Sequence, residues 1–555
     1  MKKLINFLGM MLLFVTTSMF MSCKPEVAVE PISLDNFVIP SGEIQEDGVI
    51  VIDGSNLKEN ANEFIYYDLK DYVGKKIEID FSCKMKTSSS SGVNLMWQIL
   101  DGANYPIVAS NGSVKTEWVS VEGAKDVIVD ENYLFYLSTY QIDYSNLTIW
   151  LKDVELEITV PTKQQKPEDE WMVAPSLKEA YEGKLDYIGM SVQWNWPKPE
   201  FETAKVQAGL KRHFNSITMG NEMKPDGFLG GSWSTPTSFE KFTASNGKEI
   251  DVPKNRLNFS TVDNCLAATK NIGAKMRGHV LVWHSQTPNW FFIKDYKSSG
   301  DFVDEATMTA RQEWYIKSVL EHIKDWEDKN NNGERIIYCW DVVNEAADDS
   351  GTQLRSASNW YKIYNNDEFI VNAFRFANKY APKDVLLAYN DYNECQANKT
   401  EMILKIIKSV QSHENDAVLP TRIDVMGMQS HNKYGTPSVS TCESTIKKYL
   451  ATGLDVHITE LDIGAMNTTD AKDAQKLKKE YKDYFKMYLK YAKKGDEPGV
   501  SSVTIWGITD GSTWLNSEGQ QQWLNNTYQY PLLFDDDYYA KPAFYGVLEA
   551  AQESN

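Results

Sequence analysis

The chain has 555 residues, a formal net charge of −20 and an aromatic content of 12%. This length allows two or three domains, one of which can be a barrel of about 250 residues or more. The acidic charge argues against a nucleic-acid partner, because binding to phosphates needs a basic face that releases counterions.

The first 23 residues have the pattern of a lipoprotein signal peptide. Two lysines precede an apolar stretch from Leu4 to Met21, and Cys23 follows. Such a stretch indicates a secretion signal and is short for a membrane span. Cys23 lies where bacterial lipoproteins carry their acylated cysteine, although Phe20 replaces the usual leucine. We expect a lipid anchor at Cys23, on the bacterial outer membrane or cell surface, as the only membrane contact. The alternative is an ordinary signal peptide with a chance cysteine.

The other five cysteines form neither a disulfide framework nor a metal-binding motif, because they are scattered without short paired spacings. The run 328–334, DKNNNGE, resembles the start of a calcium loop. Its twelfth position, however, is Cys339 rather than glutamate. We therefore predict a turn at this run and no metal site.

Residues 24–160 have the rhythm of a β-sandwich. Short strand-like runs such as GVIVID, VNLMWQIL and LTIWLKDVELEITV alternate with Gly, Asn, Ser and Asp clusters. The pattern resembles the β-jelly-roll carbohydrate-binding modules that accompany some hydrolases. Core packing is the alternative for each aromatic that could stack on a sugar. These candidates are Trp97, Trp118, Tyr136, Tyr140 and Trp150. The polar segment 161–171 contains two prolines and indicates a linker.

Residues 172–555 alternate apolar strands with long amphipathic helices. Eight strand-like runs recur: DYIGMSV, FNSITMG, AKMRGHVLVW, RIIYCWDVVN, VLLAYN, IDVMGMQS, LDVHIT and SSVTIWGI. Continuously apolar strands separated by helices predict a parallel sheet that is buried on both faces. We therefore predict an α/β fold, a (β/α)8 TIM barrel, preceded by a small all-β sandwich.

Glutamates directly follow two of the eight runs. Glu345 follows the fourth run and Glu460 follows the seventh. In such barrels the chemistry lies at the carboxyl ends of the strands, so both carboxyl groups are expected at one mouth. Two carboxyl groups in this arrangement are candidates for an acid and nucleophile pair that cleaves glycosidic bonds. The alternative for either residue alone is a solvated rim position.

The region from about Ser176 to Ala551 resembles glycoside hydrolase family 10, the endo-β-1,4-xylanases. The matching stretches occur in the order of the family and include FNSITMGNEMKPD, RGHVLVWHSQTPNWF, WDVVNEA, LAYNDYN, VMGMQSHNKYGTP, VHITELDI and IWGITDGSTWL. The resemblance implies hydrolysis of internal xylan bonds with retention of configuration, without a cofactor. It also implies that xylan and xylo-oligosaccharides are the substrates, and we expect a monomer.

The resemblance also assigns roles to individual residues. Glu345 would be the general acid/base and Glu460 the nucleophile, because two carboxyl groups about 5–5.5 Å apart disfavour two simultaneous charges. His431 and Asp462 would support the nucleophile, and Asn344 and Gln429 would hold the sugar at the cleavage point. The remaining sugar-binding positions would be Asn221, Lys224, His279, Trp283, Gln286, Trp506 and Trp514.

One position departs from the pattern of the family. A glutamate usually precedes the NEMK stretch and contacts the sugar one subsite beyond the cleavage point, whereas this chain has Gly220. We expect weaker binding there unless another residue reaches in. Two alternatives to a xylanase are a retaining β-glycanase for another β-1,4 glycan, and a surface glycan-binding lipoprotein with an inactive barrel.

Overall fold

The structure is a computed structural model that describes residues 32–554, except for Asn60, Gly74, 101–104, 161–169, Trp196, Lys198, Trp233, Ala465, 467–470 and 518–527. The chain divides into two compact units, 1–166 and 167–555. The predicted signal peptide, with Cys23, and the predicted linker up to residue 169 lie outside the described residues. Trp171, at the end of that predicted linker, is buried in the core of the second unit.

The first unit consists of two antiparallel sheets. One sheet has the strand order β1-β2-β9-β4-β7 and the other has the order β3-β8-β5-β6. The strands are β1 (Gly42–Ile44), β2 (Ile50–Asp53), β3 (Glu63–Asp68), β4 (Lys76–Thr87), β5 (Val93–Leu100), β6 (Ile107–Val114), β7 (Val119–Ile128), β8 (Leu134–Ser138) and β9 (Thr148–Thr159).

Alternate residues of these strands form the core between the two sheets. In β4, Ile77, Ile79 and Phe81 are buried, as the period of two in a strand requires. The indole of Trp97 stacks on the ring of Phe135 with centroids 5.1 Å apart. Two of the five candidate stacking residues, Trp97 and Tyr136, are therefore buried. The other three are half-buried or exposed: Trp118, Tyr140 and Trp150.

The second unit is a closed barrel of eight parallel strands, and each predicted run overlaps one of them. The order is β10-β11-β14-β15-β16-β17-β19-β20, and β20 pairs with β10 to close the barrel. The strands are β10 (Tyr187–Val192), β11 (Ser216–Met219), β14 (Lys275–Trp283), β15 (Ile337–Asn344), β16 (Leu386–Asp391), β17 (Val425–Met428), β19 (Asp455–Gly464) and β20 (Val500–Ile505). The predicted barrel is confirmed.

Three short strands lie outside the barrel wall. A hairpin of β12 (Phe239–Thr243) and β13 (Glu249–Pro253) follows the second barrel strand, and β18 (His431–Lys433) pairs with the end of β19. Because β18 aligns His431 with Asp462, it brings two predicted site residues into register.

Two short helices precede the first barrel strand, and the remaining helices come after barrel strands. They are α1 (Glu170–Val173), α2 (Leu177–Ala180), α3 (Ala204–His213), α4 (Pro225–Leu229), α5 (Ser260–Ile272), α6 (Glu305–Asn330), α7 (Asn359–Tyr364), α8 (Glu368–Tyr380), α9 (Ala397–Gln411), α10 (Val439–Leu450), α11 (Ala471–Lys490) and α12 (Pro542–Glu553). In α6, the apolar residues Ile316, Val319, Leu320 and Ile323 form a buried stripe, and the side chain of Asp304 caps the first turn. No helix among the described residues is long and apolar enough to cross a membrane.

Candidate active site

Glu345 lies directly after β15, in the left-handed region of the backbone with φ of 56°. Its carboxylate receives hydrogen bonds on both oxygens. Nε1 of Trp283 donates to Oε2 at 2.7 Å, and Nε2 of Gln429 donates to Oε1 at 2.9 Å. Nδ2 of Asn344 lies 3.2 Å from the same Oε1 atom. Three predicted site residues from three strand ends thus donate to the carboxyl group of Glu345.

Glu460 lies within β19 and is 5% exposed. Nδ2 of Asn390 donates to its Oε1 atom at 2.9 Å, and Nε2 of His431 lies 3.2 Å from Oε2. Burial raises the pKa of Glu460, but the hydrogen bond from His431 and the charges of His279 and His431 more than offset burial. The pKa of this carboxyl group therefore lies below its ordinary value of 4.5, which favours the charged form.

His431 connects Glu460 with a second buried carboxylate. Its Nδ1 atom lies 3.0 Å from Oδ2 of Asp462. Burial lowers the pKa of His431, but the charge and hydrogen bond of Asp462, together with those of Glu460, raise that pKa to about 10. A doubly protonated imidazolium donates to both carboxylates, so it fixes the orientation of Glu460.

Amide side chains connect the two glutamates through hydrogen bonds. Asn344 accepts hydrogen bonds through Oδ1 from Gln429 at 3.1 Å and from Asn390 at 3.0 Å. Since Gln429 also contacts Glu345 and Asn390 contacts Glu460, one chain of amides holds both carboxyl groups. Asn390 lies at the end of β16 in the LAYNDYN stretch, and the rule that strand ends carry the chemistry could have identified it.

Lys224 and its neighbours form one wall of the site. Asn221 accepts hydrogen bonds through Oδ1 from Nζ of Lys224 at 3.1 Å and from Nε2 of Gln286 at 3.4 Å. The Lys224 ammonium lies 5.0 Å from the centroid of the Trp283 ring. Burial lowers the pKa of Lys224, opposed by the charges of Glu460 and Glu345.

Trp506 and Trp514 lie beside the imidazole of His431. The Trp514 ring centroid is 4.7 Å from that of His431, and the Trp514 indole Nε1 donates to Oδ2 of Asp462 at 2.7 Å. The Trp506 ring lies edge-on to His279 at 5.6 Å and to His431 at 6.2 Å. With these contacts, all predicted site residues of the barrel belong to one connected network. Their individual roles stay predictions.

His279 is held from inside the barrel by a buried ion pair. Its Nδ1 atom lies 2.9 Å from Oδ2 of Asp341, which is also paired with Arg277. Asp341 lies in the middle of β15 and Arg277 near the start of β14, so both lie below the mouth. Sequence reasoning directed at strand ends does not reach them.

The loop behind Glu345 is fixed by a second group of residues that sequence reasoning missed. The hydroxyl of Tyr389 accepts hydrogen bonds from the backbone N–H groups of Ala346 at 3.1 Å and Ala347 at 3.2 Å, and it donates to Asp391 at 2.6 Å. Lys399 pairs with Asp391 at 2.9 Å and donates to the carbonyl of Ala347. Burial raises the pKa of Asp391 to about 6, despite the opposing charge of Lys399.

The space beside Gly220 is filled by Gln193. A Cβ atom added to Gly220 would lie 2.1 Å from Nε2 of Gln193. Oε1 of Gln193 accepts a hydrogen bond from Nδ2 of Asn221 at 3.0 Å. Another residue thus reaches into the position that the sequence left open. Among the described residues, no group of His, Cys, Asp and Glu side chains is placed to hold a metal ion.

Residues 176–550 match the family model of glycosyl hydrolase family 10. Endo-1,4-beta-xylanase B of Butyrivibrio fibrisolvens is 34% identical over 376 residues, which cover 68% of this chain and 53% of that protein. The crystal structure of an endo-1,4-beta-xylanase from Caldicellulosiruptor owensensis is also similar, with 30% sequence identity and a TM-score of 0.53. The aligned region covers 67% of this chain and 99% of the chain in that structure.

One similar structure extends over both units. It contains the CBM22-1 and GH10 modules of a Clostridium thermocellum xylanase with bound xylohexaose, and it covers 95% of this chain and 94% of that one. At 24% identity and a TM-score of 0.55, the likeness concerns the fold. The chain spans between 31% and 53% of the length of the first three curated relatives that it matches.

Proposed function

Because the chain belongs to glycosyl hydrolase family 10, we propose that it is an endo-1,4-β-xylanase that cleaves internal bonds of xylan with retention of configuration. The observation that carries the proposal is the pair of glutamates at one barrel mouth. Glu460 has a lowered pKa and three N–H groups orient Glu345. One chain of amide side chains contacts both glutamates.

The reaction proceeds in two displacements. The Glu460 carboxylate attacks the anomeric carbon while Glu345 gives its proton to the departing glycosidic oxygen, so that a glycosyl ester forms and the leaving sugar departs. Glu345, now a carboxylate, then takes a proton from water, and the resulting hydroxide displaces Glu460. Both inversions together retain the configuration, and no cofactor enters either step.

The charge of Glu460 changes during this cycle, and Glu345 changes its role between the two steps. In the first step Glu345 is the acid that protonates the leaving oxygen. After Glu460 has become an ester, Glu345 is the base that takes a proton from water. The imidazolium of His431 keeps Glu460 oriented in the free enzyme.

Sugar binding is assigned to the polar and aromatic groups around the two glutamates. Asn344 and Gln429 hold the hydroxyl next to the anomeric carbon, a contact that strengthens as positive charge develops on the ring. Lys224, Asn221 and Gln286 contact the sugars on the non-reducing side, together with His279 and Trp283. Trp506 forms the floor of the site and Trp514 covers the position that the hydroxymethyl group of a hexose would occupy.

The test is a comparison of products from unbranched xylan, arabinoxylan and mixed-linkage β-glucan. Short xylo-oligosaccharides from the first two substrates, with little release from β-glucan, are expected. Preferential cleavage of β-glucan would instead identify another retaining β-glycanase. Absence of products from all three, with retention on the polymers, would identify a glycan-binding protein with an inactive barrel.

The first unit is assigned as a carbohydrate-binding module. The support is an exposed surface of its five-stranded sheet, where Trp118 and Trp150 lie on either side of one lysine. Nζ of Lys86 is 5.0 Å from the Trp118 ring centroid and 5.1 Å from that of Trp150. Indoles on a sheet face offer flat surfaces on which sugar rings can stack. The module would hold the enzyme on plant glycans.

The protein is further proposed to be secreted and anchored by a lipid on Cys23, to the bacterial outer membrane or cell surface. This part of the proposal rests on the sequence of the first 23 residues. A monomer suffices for the reaction, because the residues assigned to the chemistry all come from one barrel.

A further inference from the structure

We infer that Gln193 is a sugar-binding residue that sets the specificity of the non-reducing side of the site, and that Gly220 is required to make room for it. This inference rests on the proposed xylanase activity. Gln193 follows β10 directly, and Gly220 follows the neighbouring strand β11 directly. Both residues therefore lie at the carboxyl ends of adjacent strands, where the barrel binds its substrate.

The backbone around Gln193 is firmly held. Its N–H donates to Oε2 of Glu200 at 2.6 Å, and its carbonyl accepts from the backbone N–H of Phe201 at 2.9 Å. The next N–H, that of Trp194, donates to Glu222 at 2.5 Å. The start of the Gln193 side chain is therefore fixed relative to the two strands, as specific recognition requires.

The amide of Gln193 has one occupied end and one available end. Oε1 accepts the hydrogen bond from Asn221, which fixes the orientation of the amide. Nε2 has no hydrogen-bond acceptor among the described residues, and the side chain is half-buried, so part of it is open to solvent. An amide group held in this way offers its N–H groups to a ligand.

Gln193 is connected with the reacting carboxyl group through the wall of the site. Asn221 bonds to Gln193 and to Lys224, and the Lys224 ammonium lies over the ring of Trp283, whose indole N–H donates to Glu345. Three residues thus separate Gln193 from Glu345. Gln193 is placed for a sugar beyond the one at the cleavage point, and its N–H groups donate to a hydroxyl or ring oxygen of that sugar.

Gly220 leaves no room for a side chain while Gln193 is in place. The three atoms nearest to an added Cβ all belong to Gln193, at 2.1, 3.0 and 3.3 Å. The φ angle of Gly220 lies outside the left-handed region, so glycine is required by the space and not by the backbone conformation. Even alanine at position 220 would displace the amide.

The test compares kcat/KM for p-nitrophenyl β-xylobioside and p-nitrophenyl β-xyloside, which differ by one sugar on the non-reducing side. In Gln193→Ala we expect kcat/KM for the xylobioside to fall about fivefold, the effect of one neutral hydrogen bond. The value for the xyloside should change less than about twofold. Gln411→Ala is the matched control, because Gln411 donates to the Thr452 carbonyl on the outer helices.

A double-mutant cycle tests whether Gly220 acts only by making room for Gln193. Gly220→Ala alone should lower the xylobioside value by a similar factor, because it displaces Gln193. Once Gln193→Ala has removed the clash, adding Gly220→Ala should cost less than about twofold more. Equal losses on both substrates, no loss on either, or additive losses in the double variant would overturn the inference. A parent protein that is inactive on both substrates and on xylan would overturn the proposed function instead.

Discussion

The two glutamates differ in the hydrogen-bond donors that surround them. Glu345 is oriented by neutral donors, an indole and two amides. Glu460 is oriented by an amide and by the imidazolium of His431, whose charge compensates for burial. This difference suits a proton donor in the first case and a charged nucleophile in the second.

Substitution of each glutamate should cause a different kind of loss. Glu460→Ala removes the nucleophile, so hydrolysis of every substrate is expected to stop. Glu345→Ala removes the proton donor, so we expect a loss of about 10²- to 10⁴-fold on xylan. It should retain more activity on aryl glycosides with stable leaving groups, partly restored by azide. Equal losses on both kinds of substrate, without a response to azide, would contradict the assignment.

His431 should set the acid limb of the pH profile. In the parent protein, the pKa of Glu460 lies below 4.5, so the midpoint of the fall in kcat/KM on acidification should lie below that pH. In His431→Gln the imidazolium is lost, burial then dominates, and the acid limb should move to higher pH. His322→Gln is the control, since His322 pairs with Asp263 at 2.8 Å in a half-buried pair on outer helices.

The same histidine should make stability depend on pH in a defined window. Its pKa is raised in the folded state from 6.5 to about 10, so its contribution is complete below pH 6.5 and is lost as pH rises to about 10. The difference in melting temperature between parent and His431→Gln should therefore shrink across this range. A difference that is constant from pH 6 to 10 would show that His431 does not carry the charge.

At the scale of elements, each strand supplies one or two groups to the mouth, and the loops behind the strands fix their direction. The loop after β15 is the best example. Tyr389, at the centre of β16, accepts hydrogen bonds from two successive backbone N–H groups just after Glu345. The hydroxyl is completely buried. It is therefore a positioning group for the proposed acid.

Tyr389→Phe should lower kcat and leave KM little changed. Two buried N–H groups would lose their acceptor, at a cost of about 1–3 kcal/mol for each unsatisfied group. The loop would relax and Glu345 would lose its orientation, so poor leaving groups should suffer more than good ones. Tyr181→Phe is the matched control, because its buried hydroxyl donates only to the carbonyl of Val547. A loss of stability with unchanged kcat would assign Tyr389 a purely structural role.

The elements could be predicted where burial leaves a strong pattern. All eight residues of β15 and all ten of β19 are buried, and their apolar residues, which lie on both faces of each strand, are readable from sequence. The hairpin of β12 and β13 was missed, since β12 is almost wholly exposed and short. The burial of Trp97 was left open, although Trp97 shares one face of β5 with Leu95 and Ile99 while the opposite face carries Asn94 and Gln98.

The site was predictable where the chemistry follows strand ends or a family motif. Glu345 and Glu460 could be identified from either. Gln193 could not, because a glutamine after an apolar run has no distinguishing pattern. Its importance depends on the absence of a side chain at position 220, and this relation between two strands exists only in the folded barrel.

At the scale of the whole molecule, the sequence predicts a lipid anchor at its start and a catalytic barrel in its second half. The lipid anchor predicted at Cys23 can be tested directly. Cys23→Ser should abolish acylation and move the protein from the membrane fraction into the soluble fraction, because each buried CH₂ group of the chains contributes about 0.8 kcal/mol to membrane binding. Specific activity on soluble xylan should not change. Unchanged fractionation would refute the anchor.

The first unit should retain the protein on insoluble glycan through the half-buried indoles of Trp118 and Trp150. The full chain with Glu460→Ala avoids consumption of the polymer, and in this background Trp118→Ala with Trp150→Ala should weaken retention on insoluble xylan. An indole ring on the face of the sheet offers a flat apolar surface on which a sugar ring can stack. The control is Trp97→Phe, because Trp97 is buried beneath Phe135 and cannot contact a ligand.

Binding to xylan, arabinoxylan and β-glucan beads should be compared in parallel. If the double variant binds all three as well as its background does, the five-stranded sheet is not the binding face, and the unit then serves as a spacer between the predicted anchor and the barrel.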